Sequence, residues 1–284
     1  MRTLEQVWPL FGLRIAAGPL QMRAVRDADV PLLVELAEGG IHDPDAMPFS
    51  SPWSTAPVVE LGPNMARFYW HTRAEFTPTR WDLELVVLWQ DQIVGCQGFT
   101  TQNYLTTRTG ETGSWLGREF QRQGIGTAMR QTICAFLFDH LSAEEVTSAA
   151  FVDNPPSLAV SRKTGYRPNG QTRERRRDGE LAISQKLSLR PGDLVRFPHP
   201  LVVEGAAEVP AGRARRLTQL PPVRRTAARC CDRLVHCGLL RTGCAPRRAR
   251  GWSGSRSGDE DAERVAGGVG IDAQRLLGIL GAVS

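Results

Sequence analysis

The chain has 284 residues, 41% of them hydrophobic, and a formal net charge of +5. This length allows one medium-sized domain with an appended segment, and the apolar content suffices for a buried core. There is no apolar run long enough to span a bilayer and no charged-then-apolar leader, so we expect a cytoplasmic protein with no membrane partner.

The positive charge lies mainly in the last part of the chain. Residues 205–284 carry 14 Arg against 7 acidic residues, a net of +7, which leaves 21 basic minus 23 acidic, or −2, for residues 1–204. A near-neutral domain is not expected to bind nucleic acid. We predict a folded domain over residues 10–204 and an Arg/Ala/Gly/Pro-rich tail over residues 205–284, disordered or loosely helical.

The first part of the folded domain is predicted to open with a hairpin, formed by residues 11–15 and 21–25. Asp27 or Asp29 then caps a helix over residues 30–37, which Gly39-Gly40 ends. Residues 41–57 have no hydrophobic period and form a loop suited to substrate contacts. Residues 58–76 have helical spacing, but Gly62-Pro63 is expected to divide them into two pieces.

The second part alternates strands and helices. Residues 83–89 and 93–100 form a hairpin around Gln90-Asp91-Gln92, and residues 110–116 form the next strand. A helix to His140 buries one face through Ile125, Met129, Ile133, Phe136 and Leu137. Further elements are a strand at 146–152, a helix at 155–163, a solvated charged turn at 173–178 and a strand at 181–187. The predicted fold is α+β, a mostly antiparallel twisted sheet flanked by helices, with one parallel crossing between residues 110 and 152.

The segment Gln121-Arg122-Gln123-Gly124-Ile125-Gly126-Thr127 joins a strand to a helix in this pattern. Its two glycines allow backbone N–H groups to crowd around an anion, and the helix adds its positive dipole end at the same point. No Gly-Lys-Ser/Thr follows and a third glycine is absent, which excludes a Walker loop and a dinucleotide fingerprint. The segment, called the cradle below, is predicted to bind phosphate.

Two motifs in order carry a family resemblance. Gln121 to Gly126 resembles the Gln/Arg-x-x-Gly-x-Gly/Ala motif of the GNAT N-acetyltransferases, and Asn154 followed by Ser161-x-Lys163-x-Gly165-Tyr166 resembles the family's next element. The second motif looks most like the branch that acetylates ribosomal-protein N-termini, including N-terminal alanine. The resemblance covers roughly residues 10–190. It implies a GNAT-like sheet with a splayed parallel strand pair at the cofactor site, acetyl-coenzyme A as donor, and no metal.

The resemblance also implies residue roles. Backbone N–H groups of the cradle hold the pyrophosphate, with Arg118 or Arg130 as candidates for another phosphate, and a backbone N–H near Leu116 polarises the acetyl carbonyl. Asn154 contacts the pantetheine arm or caps the next helix. Ser161, where many relatives have a tyrosine, can donate a hydrogen bond to the departing thiolate, directly or through water. The predicted cofactor-binding residues are Leu116, Gln121, Arg122, Gln123, Gly124, Ile125, Gly126, Thr127 and Asn154.

Glu111 is the first choice for the general base because it begins the strand that leads into the cradle. Glu75, Glu84, His42 and His71 are alternatives, as is an ordered water. The predicted function is an N-acetyltransferase that uses direct attack in a ternary complex, with a protein or peptide N-terminus as first-choice acceptor.

Two other functions stay open. One is acetylation of a small amine, such as an aminoglycoside-like or polyamine compound, for which Asp43 and Asp45 offer charge. The other is a non-catalytic coenzyme A-binding regulatory module. A homodimer is compatible with the sequence.

The cysteines are not predicted to take part in the chemistry. Cys96 and Cys134 lie in apolar surroundings and are expected to be buried free thiols. Cys230, Cys231, Cys237 and Cys244 do not have the paired spacing of a zinc site.

Overall fold

The computed structural model describes residues 1–177 and 179–206. The predicted tail over residues 205–284 therefore lies outside the described residues, except for Gly205 and Ala206. Its cysteine cluster lies outside them as well. None of the helices in the described ranges combines the length and apolarity needed to cross a bilayer.

The described residues form nine β-strands and six α-helices. The strands are β1 (Arg14–Ala17), β2 (Leu20–Ala24), β3 (Arg80–Trp89), β4 (Gln92–Gln102), β5 (Thr109–Leu116), β6 (Glu145–Phe151), β7 (Arg167–Arg177), β8 (Glu180–Leu189) and β9 (Val202–Glu204). The helices are α1 (Leu4–Val7), α2 (Val30–Glu38), α3 (Val58–Ala74), α4 (Tyr104–Thr107), α5 (Ile125–Leu141) and α6 (Pro155–Thr164).

All nine strands belong to one sheet, in the order β7-β8-β6-β5-β4-β3-β2-β1-β9. Neighbouring strands are antiparallel except β5 and β6, which are parallel and are joined through α5. The predicted mixed sheet with one parallel crossing is confirmed. A crossover connection is needed wherever two parallel strands are adjacent, and here it places the start of α5 at the carboxyl end of β5.

Each face of the sheet has its own hydrophobic core. On one face α5 packs against the sheet through residues such as Met129, Ile133 and Leu137. On the other face α2 and α3 pack against Val86, Cys96 and Trp115. Side chains of a strand alternate between faces, so Thr112 and Ser114 of β5 point toward α5 while Trp115 points toward α3.

Both predicted hairpins are confirmed. β1 and β2 turn at Gly18-Pro19, and β3 and β4 turn at Gln90-Asp91. Gln90 and Asp91 have φ of +51° and +65°, as a two-residue turn between twisted strands requires. In the first hairpin Leu13, Ile15 and Met22 are buried, whereas Ala24 is half-buried.

The helix predicted at residues 30–37 is α2, but the predicted cap is wrong in detail. Asp29 occupies the N-cap position, yet its carboxylate makes no capping bond to α2. The carboxylate instead pairs with both terminal nitrogens of Arg23 and accepts the Arg26 backbone N–H at 2.8 Å. A guanidinium in bidentate geometry is a stronger partner than an exposed helical N–H, so the ion pair prevails.

Helix α3 is continuous, so the predicted break at Gly62-Pro63 is wrong. Pro63 lies inside its 17 residues, which all keep helical geometry. A proline removes one backbone hydrogen bond and costs about 3 kcal/mol in a helix interior. Burial of Leu61, Met65 and Tyr69 on both sides of the proline supplies the compensating packing.

Helix α5 is buried on nearly every side, not only on the face that the sequence predicted. Arg130, Gln131, Thr132 and Ala135 are buried together with the expected apolar residues. The sheet covers one side of α5, and α6 lies beside it. The segment after β8 approaches α5 as well, since Arg196 pairs with Asp139 at 2.7 Å.

The charged run at residues 173–178 is not a solvated turn. Residues 173–177 belong to β7, an edge strand that pairs with β8 through contacts such as Arg173 with Ile183. Asp178 lies outside the described residues. The strand contains few apolar residues because it has one neighbour only and both of its faces are largely exposed, which removes the hydrophobic period used to predict strands.

We expect Gly165→Ala to destabilise the protein more than Gly170→Ala. Both glycines have positive φ, +106° and +86°, but a Cβ at Gly165 would lie 2.0 Å from the Asp193 carbonyl oxygen, whereas a Cβ at Gly170 would meet no atom within 4 Å. Strain alone should cost about 1 kcal/mol, and the clash about 1–3 kcal/mol more. Urea unfolding of both variants measures the difference, and equal losses would contradict this account of the contact.

Candidate functional site

The two parallel strands part at the centre of the sheet. β5 pairs with β6 only from Thr109 to Glu111, opposite Glu145 to Thr147. Arg130 of α5 spans the gap that follows, donating to Ser114 of β5 at 3.1 Å and to Ser148 of β6 at 2.9 Å. The parted ends of β5 and β6 thus form a cleft, which the Arg130 side chain spans on the α5 face of the sheet.

Arg130 cannot serve as a phosphate contact at the cradle. Its side chain is only 2% exposed and points into the sheet, over the ring of Tyr166 at 5.9 Å. The sequence places Arg130 near the start of α5. It does not show that this side of the helix is buried against the sheet. Arg118, the other candidate, lines the large cavity described below.

The cradle has the backbone geometry of an anion site. Arg122 and Gly124 have φ of +61° and +86°, and Gly124 is the N-cap residue of α5. Alternation of positive and ordinary negative φ angles turns successive backbone N–H groups toward one point. The first turn of a helix also leaves backbone N–H groups without intrahelical partners. A Cβ at Gly124 would meet nothing within 4 Å, so the space beside the cradle is open to a ligand.

Gln121 fixes the position of the cradle relative to the neighbouring loop. Its side-chain amide donates to the Leu116 carbonyl at 3.1 Å and to the Ile41 carbonyl at 2.5 Å. One side chain therefore ties the end of β5 to the start of the loop at residues 41–57. These two hydrogen bonds alone explain why residue 121 is a glutamine, whether or not its side chain also contacts a ligand.

A cavity of about 560 Å³ lies at the carboxyl ends of β5 and β6, beside the cradle. Its size is in the usual range for small-molecule sites. The loop at residues 41–57 forms one wall, as the sequence predicted for a substrate loop. The lining includes Ile41, His42, Asp43, Asp45, Met47, Phe49, Trp115, Arg118, Gln121, Arg122, Asp153, Asn154, Arg176 and Glu180.

Aromatic contacts hold this loop against β5. The rings of His42 and Phe49 lie 5.8 Å apart, those of Phe49 and Trp53 5.2 Å apart, and those of Trp53 and Trp115 5.7 Å apart. His42 is further fixed by Ser54, whose hydroxyl lies 2.7 Å from its Nε2. The imidazole is already engaged on both nitrogens, since Nδ1 lies 2.7 Å from the Asp43 carbonyl oxygen.

Arg176 is a site residue that the sequence did not identify. Its guanidinium pairs with Asp153 at 2.8 Å and with Glu180, and it lies 5.0 Å from the centre of the Phe151 ring. It therefore joins β7 to the end of β6 at the rim of the cavity. In the sequence, Arg176 is one of several charged residues in a row. Only the pairing of β7 with β8 distinguishes it from the more exposed residues beside it.

Asn154 and Ser161 each leave a polar atom unpaired at the site. The Asn154 side-chain oxygen accepts the Ser157 N–H at 3.2 Å, which confirms the capping interpretation. Its Nδ2 is buried without a partner among the described residues, and the residue lines the large cavity. The Ser161 hydroxyl is also buried without a partner there. The Asn154 nitrogen can still hydrogen-bond to a ligand, whereas Ser161 is not among the residues that line the cavity.

Glu111 and Ser161, the predicted base and acid, lie on opposite faces of the sheet. Alternation along β5 points Glu111 away from Thr112, whose hydroxyl bonds Tyr166 on the α5 side at 2.9 Å, while Ser161 belongs to α6 beside α5. Glu111 reaches solvent, yet the protein around it desolvates the carboxyl and raises its pKa, which the charge of Lys186 partly opposes. Such a shift suits a proton acceptor at neutral pH.

The alternative bases differ sharply in environment. Glu75 is exposed at the end of α3, and His71 is half-buried in its last turn. Glu84 of β3 is only 8% exposed, and neither carboxylate oxygen has a hydrogen-bond partner among the described residues. Desolvation raises the pKa of Glu84 well above its usual range, and the charge of Asp82 adds to the effect.

Cys96 and Cys134 are buried free thiols, as predicted. Burial raises the pKa of Cys134 to about 11, which keeps the thiol protonated and unreactive at neutral pH. Tyr166 is a core aromatic whose hydroxyl lies 3.4 Å from the Cys134 sulfur. Within residues 1–177 and 179–206, His, Cys, Asp and Glu do not form a group of three that could hold a metal ion.

The sequence matches a known family and a curated relative. A family model described as Acetyltransferase (GNAT) domain matches residues 20–167, just over half of the chain. A Bacillus subtilis (strain 168) protein named "Putative ribosomal N-acetyltransferase YdaF" is 33% identical over 67 residues, 24% of this chain and 37% of that protein. The aligned region thus spans little more than a third of the relative.

Solved structures share the fold. Mycobacterium smegmatis RimJ, in complex with CoA-disulfide, superposes with a TM-score of 0.51 at 19% identity, covering 71% of this chain and 93% of RimJ. A "putative acetyltransferase" from T. thermophilus superposes with a TM-score of 0.52 at 16% identity, covering 63% of this chain and 90% of the other. At these identities the likeness establishes the GNAT fold.

We expect Glu84→Gln to stabilise the protein at neutral pH. The folded protein holds the Glu84 proton more tightly than the unfolded chain, so the wild type loses stability as pH rises above the ordinary carboxyl pKa toward the raised one. The amide cannot ionise, and its advantage should grow from about pH 4.5 upward and shrink in acid. Thermal melts of both proteins from pH 4 to 9 measure this, and a gain that does not vary with pH would contradict the desolvation of Glu84.

Proposed function

The chain belongs to the GNAT acetyltransferase family, and on that premise we propose that it transfers the acetyl group of acetyl-coenzyme A to a primary amine, first choice a protein or peptide N-terminus. The observation that carries the proposal is the cradle opening onto a 560 Å³ cavity at the parted ends of β5 and β6. The name "Putative ribosomal N-acetyltransferase YdaF" supports the acceptor, and the RimJ structure in complex with CoA-disulfide supports the donor.

The residues around the cradle fit a pyrophosphate and a pantetheine arm. Backbone N–H groups of Gln123 to Thr127 and the positive end of α5 would hold the phosphates, with Arg122 adding charge. Gly124 offers the close approach that an anion needs, because no protein atom fills the position of a Cβ there. The unpaired Nδ2 of Asn154 would donate to the amide-bearing arm.

The proposed reaction needs an activated acyl group, a neutral amine and a proton for the leaving thiolate. Acetyl-coenzyme A supplies the activated acyl group as a thioester. The backbone N–H near Leu116 would polarise the acetyl carbonyl, a contact worth roughly a hundredfold or more in rate at comparable sites. Glu111 lies five residues before Leu116 on β5, roughly 16 Å along the strand, so it would accept the amine proton through ordered waters as the nitrogen bonds to the acetyl carbon. The Ser161 hydroxyl would donate a hydrogen bond to the sulfur as the C–S bond breaks, and the thiolate would then take a proton from water.

Glu111 and Ser161 lie on opposite faces of the sheet, and neither is among the residues that line the large cavity. Proton removal from the attacking amine and proton delivery to the departing sulfur occur on opposite sides of the acetyl carbon. A base on the α3 face and an acid on the α5 face can therefore act in one ternary complex, without a covalent acetyl-enzyme. The raised pKa of Glu111 favours this role, because it brings the carboxyl closer to the pH at which the amine must lose a proton.

An amine panel tests the proposed function. The full chain is incubated with acetyl-coenzyme A and either N-terminal peptides, a polyamine or an aminoglycoside, and release of free thiol is followed. We expect saturable release with a peptide N-terminus. Release only with the cationic small molecules would assign the acidic Asp43 and Asp45 wall to a small-molecule acceptor. Coenzyme A binding with no thiol release from any amine would replace the enzyme by a non-catalytic binding module.

Gly124→Val is expected to weaken coenzyme A binding by roughly a hundredfold, about 2.7 kcal/mol. The valine side chain would occupy the space beside the cradle and separate the phosphates from the N–H groups. Gly170→Val is the matched control, because Gly170 has the same φ of +86° and equally open surroundings outside the cradle. Calorimetry with coenzyme A measures both variants, and unchanged affinity in a folded Gly124→Val protein would refute the phosphate assignment.

A further inference from the structure

Arg176 lies in a bulge of the edge strand β7. Between the pairs Arg175–Leu181 and Arg177–Glu180, β7 advances by two residues while β8 advances by one. Arg176 is therefore the extra residue of the bulge. A bulge changes the direction in which neighbouring side chains point, and bulges are common beside functional sites. Here the bulge allows both Arg176 and Arg177 to reach Glu180.

The Arg176 guanidinium is held between two carboxylates. Its Nη1 donates to both oxygens of Asp153, at 2.9 and 2.8 Å, and its Nε donates to Glu180 at 2.9 Å. The side chain is only 13% exposed, and its guanidinium lies 5.0 Å from the centre of the Phe151 ring. Carboxylates together with an aromatic ring are a favourable environment for a cation. The chain thus fills a cation-binding position with its own arginine.

This cation-binding position forms part of the wall of the large cavity. Arg176, Asp153 and Glu180 all line the cavity. Nη1 of Arg176 also lies 3.4 Å from the Met47 carbonyl oxygen, in the loop at residues 41–57 that forms the facing wall. A ligand in this part of the cavity therefore lies beside the three charged side chains.

Arg176 determines how many acidic groups the cavity offers to a ligand. The lining contains four carboxylates, those of Asp43, Asp45, Asp153 and Glu180. The first two belong to exposed residues, so water and salt screen their charge. Arg176 pairs with the other two, and Arg177 adds a contact to Glu180 at 3.6 Å. Loss of the Arg176 charge would leave two carboxylates, both within reach of one former guanidinium, free to bind a cation.

A fixed guanidinium at this position discriminates between amines by their charge. Two neighbouring carboxylates would attract a molecule with several ammonium groups far more than one with a single ammonium. The guanidinium pairs with both carboxylates and repels any further cation beside it. The repulsion grows with the charge of the ligand, so it acts mainly on polycations. Repulsion of the wrong ligand is a general way to obtain specificity.

We propose that Arg176 is a specificity-determining residue of the acceptor site, and that its charge excludes polyamines from the large cavity by pairing with Asp153 and Glu180. The inference rests on the proposed function in taking the acceptor to enter this cavity. The excluded class comprises small flexible molecules with two or more ammonium groups. Singly charged primary amines remain acceptable.

The test compares spermidine, a trication at neutral pH, with hexylamine, a monocation. Calorimetry at pH 7 measures the binding of each to the full chain. We expect the wild type to bind spermidine no more than about threefold more tightly than hexylamine, because only screened carboxylates favour the trication. Arg176→Met keeps the length of the side chain and removes its charge. It should bind spermidine roughly tenfold or more tightly than the wild type does, with a smaller gain for hexylamine.

Three further variants show whether the charge at this position is the cause. Arg176→Lys keeps the charge and should bind spermidine as the wild type does. Arg173→Met is the matched control, because Arg173 is an exposed arginine of the same strand that is not among the residues lining the cavity. It should leave the affinity for spermidine unchanged. Arg176→Met combined with Asp153→Asn should lose most of the gain.

Thermal melts show which variants are folded, and the thiol-release assay gives a second readout. In that assay, Arg176→Met should raise kcat/KM for spermidine relative to that for a peptide N-terminus by roughly tenfold. Arg173→Met should leave the ratio unchanged.

A wild-type preference of tenfold or more for spermidine over hexylamine would overturn the inference without any variant, because the carboxylates would then be accessible. Wild-type affinity for spermidine in folded Arg176→Met would overturn it as well, and so would an equal gain in Arg176→Lys or Arg173→Met. If Arg176→Met gains spermidine binding but no amine yields thiol, the proposed function fails and the inference stands. If peptides yield thiol and the variant gains nothing, the inference alone fails.

Discussion

The separation of β5 from β6 is the constraint on which the rest of the site depends. After Glu111 and Thr147 the two parallel strands no longer pair through their backbones. Side-chain hydroxyls join the next residues instead, since Thr112 donates to the Thr147 carbonyl at 3.2 Å and Ser148 donates to the Thr112 carbonyl at 3.2 Å. Arg130 donates to a serine on each strand and so occupies the space beneath the cleft. Side-chain hydrogen bonds therefore stabilise the cleft.

The sheet divides the proposed chemistry between its faces. The cradle, Asn154 and Ser161 lie at the end of the sheet nearest α5 and α6, where the acetyl donor would bind, whereas Glu111 lies on the face that α2 and α3 cover. The strands between them carry the side chains of alternate residues to opposite faces, so one strand can serve both substrates. Trp115 lies on the α3 face and lines the large cavity.

Four side chains in the same half of the sheet have buried polar atoms without a partner in the described part of the chain. The Glu84 carboxylate, the Asn154 amide nitrogen, the Ser161 hydroxyl and the Trp53 indole nitrogen all lack partners among the described residues. Each unpaired group costs stability, of the order of 1–3 kcal/mol when neutral. Ligands that pair them recover this energy on binding.

The sequence by itself determined the elements that follow from local chemistry: the hairpins, the cradle at the start of α5, the Asn154 cap and the parallel crossing. Hydrophobic period, glycine and capping residues act over a few positions and can be found without the fold. Tertiary structure alone decided that α3 continues through Pro63, that the charged residues 173–177 form an edge strand, and that Arg130 is buried. It also decided which glutamate is enclosed. These outcomes depend on neighbours distant in the chain, because packing and desolvation are properties of the assembled sheet and not of any short stretch of sequence.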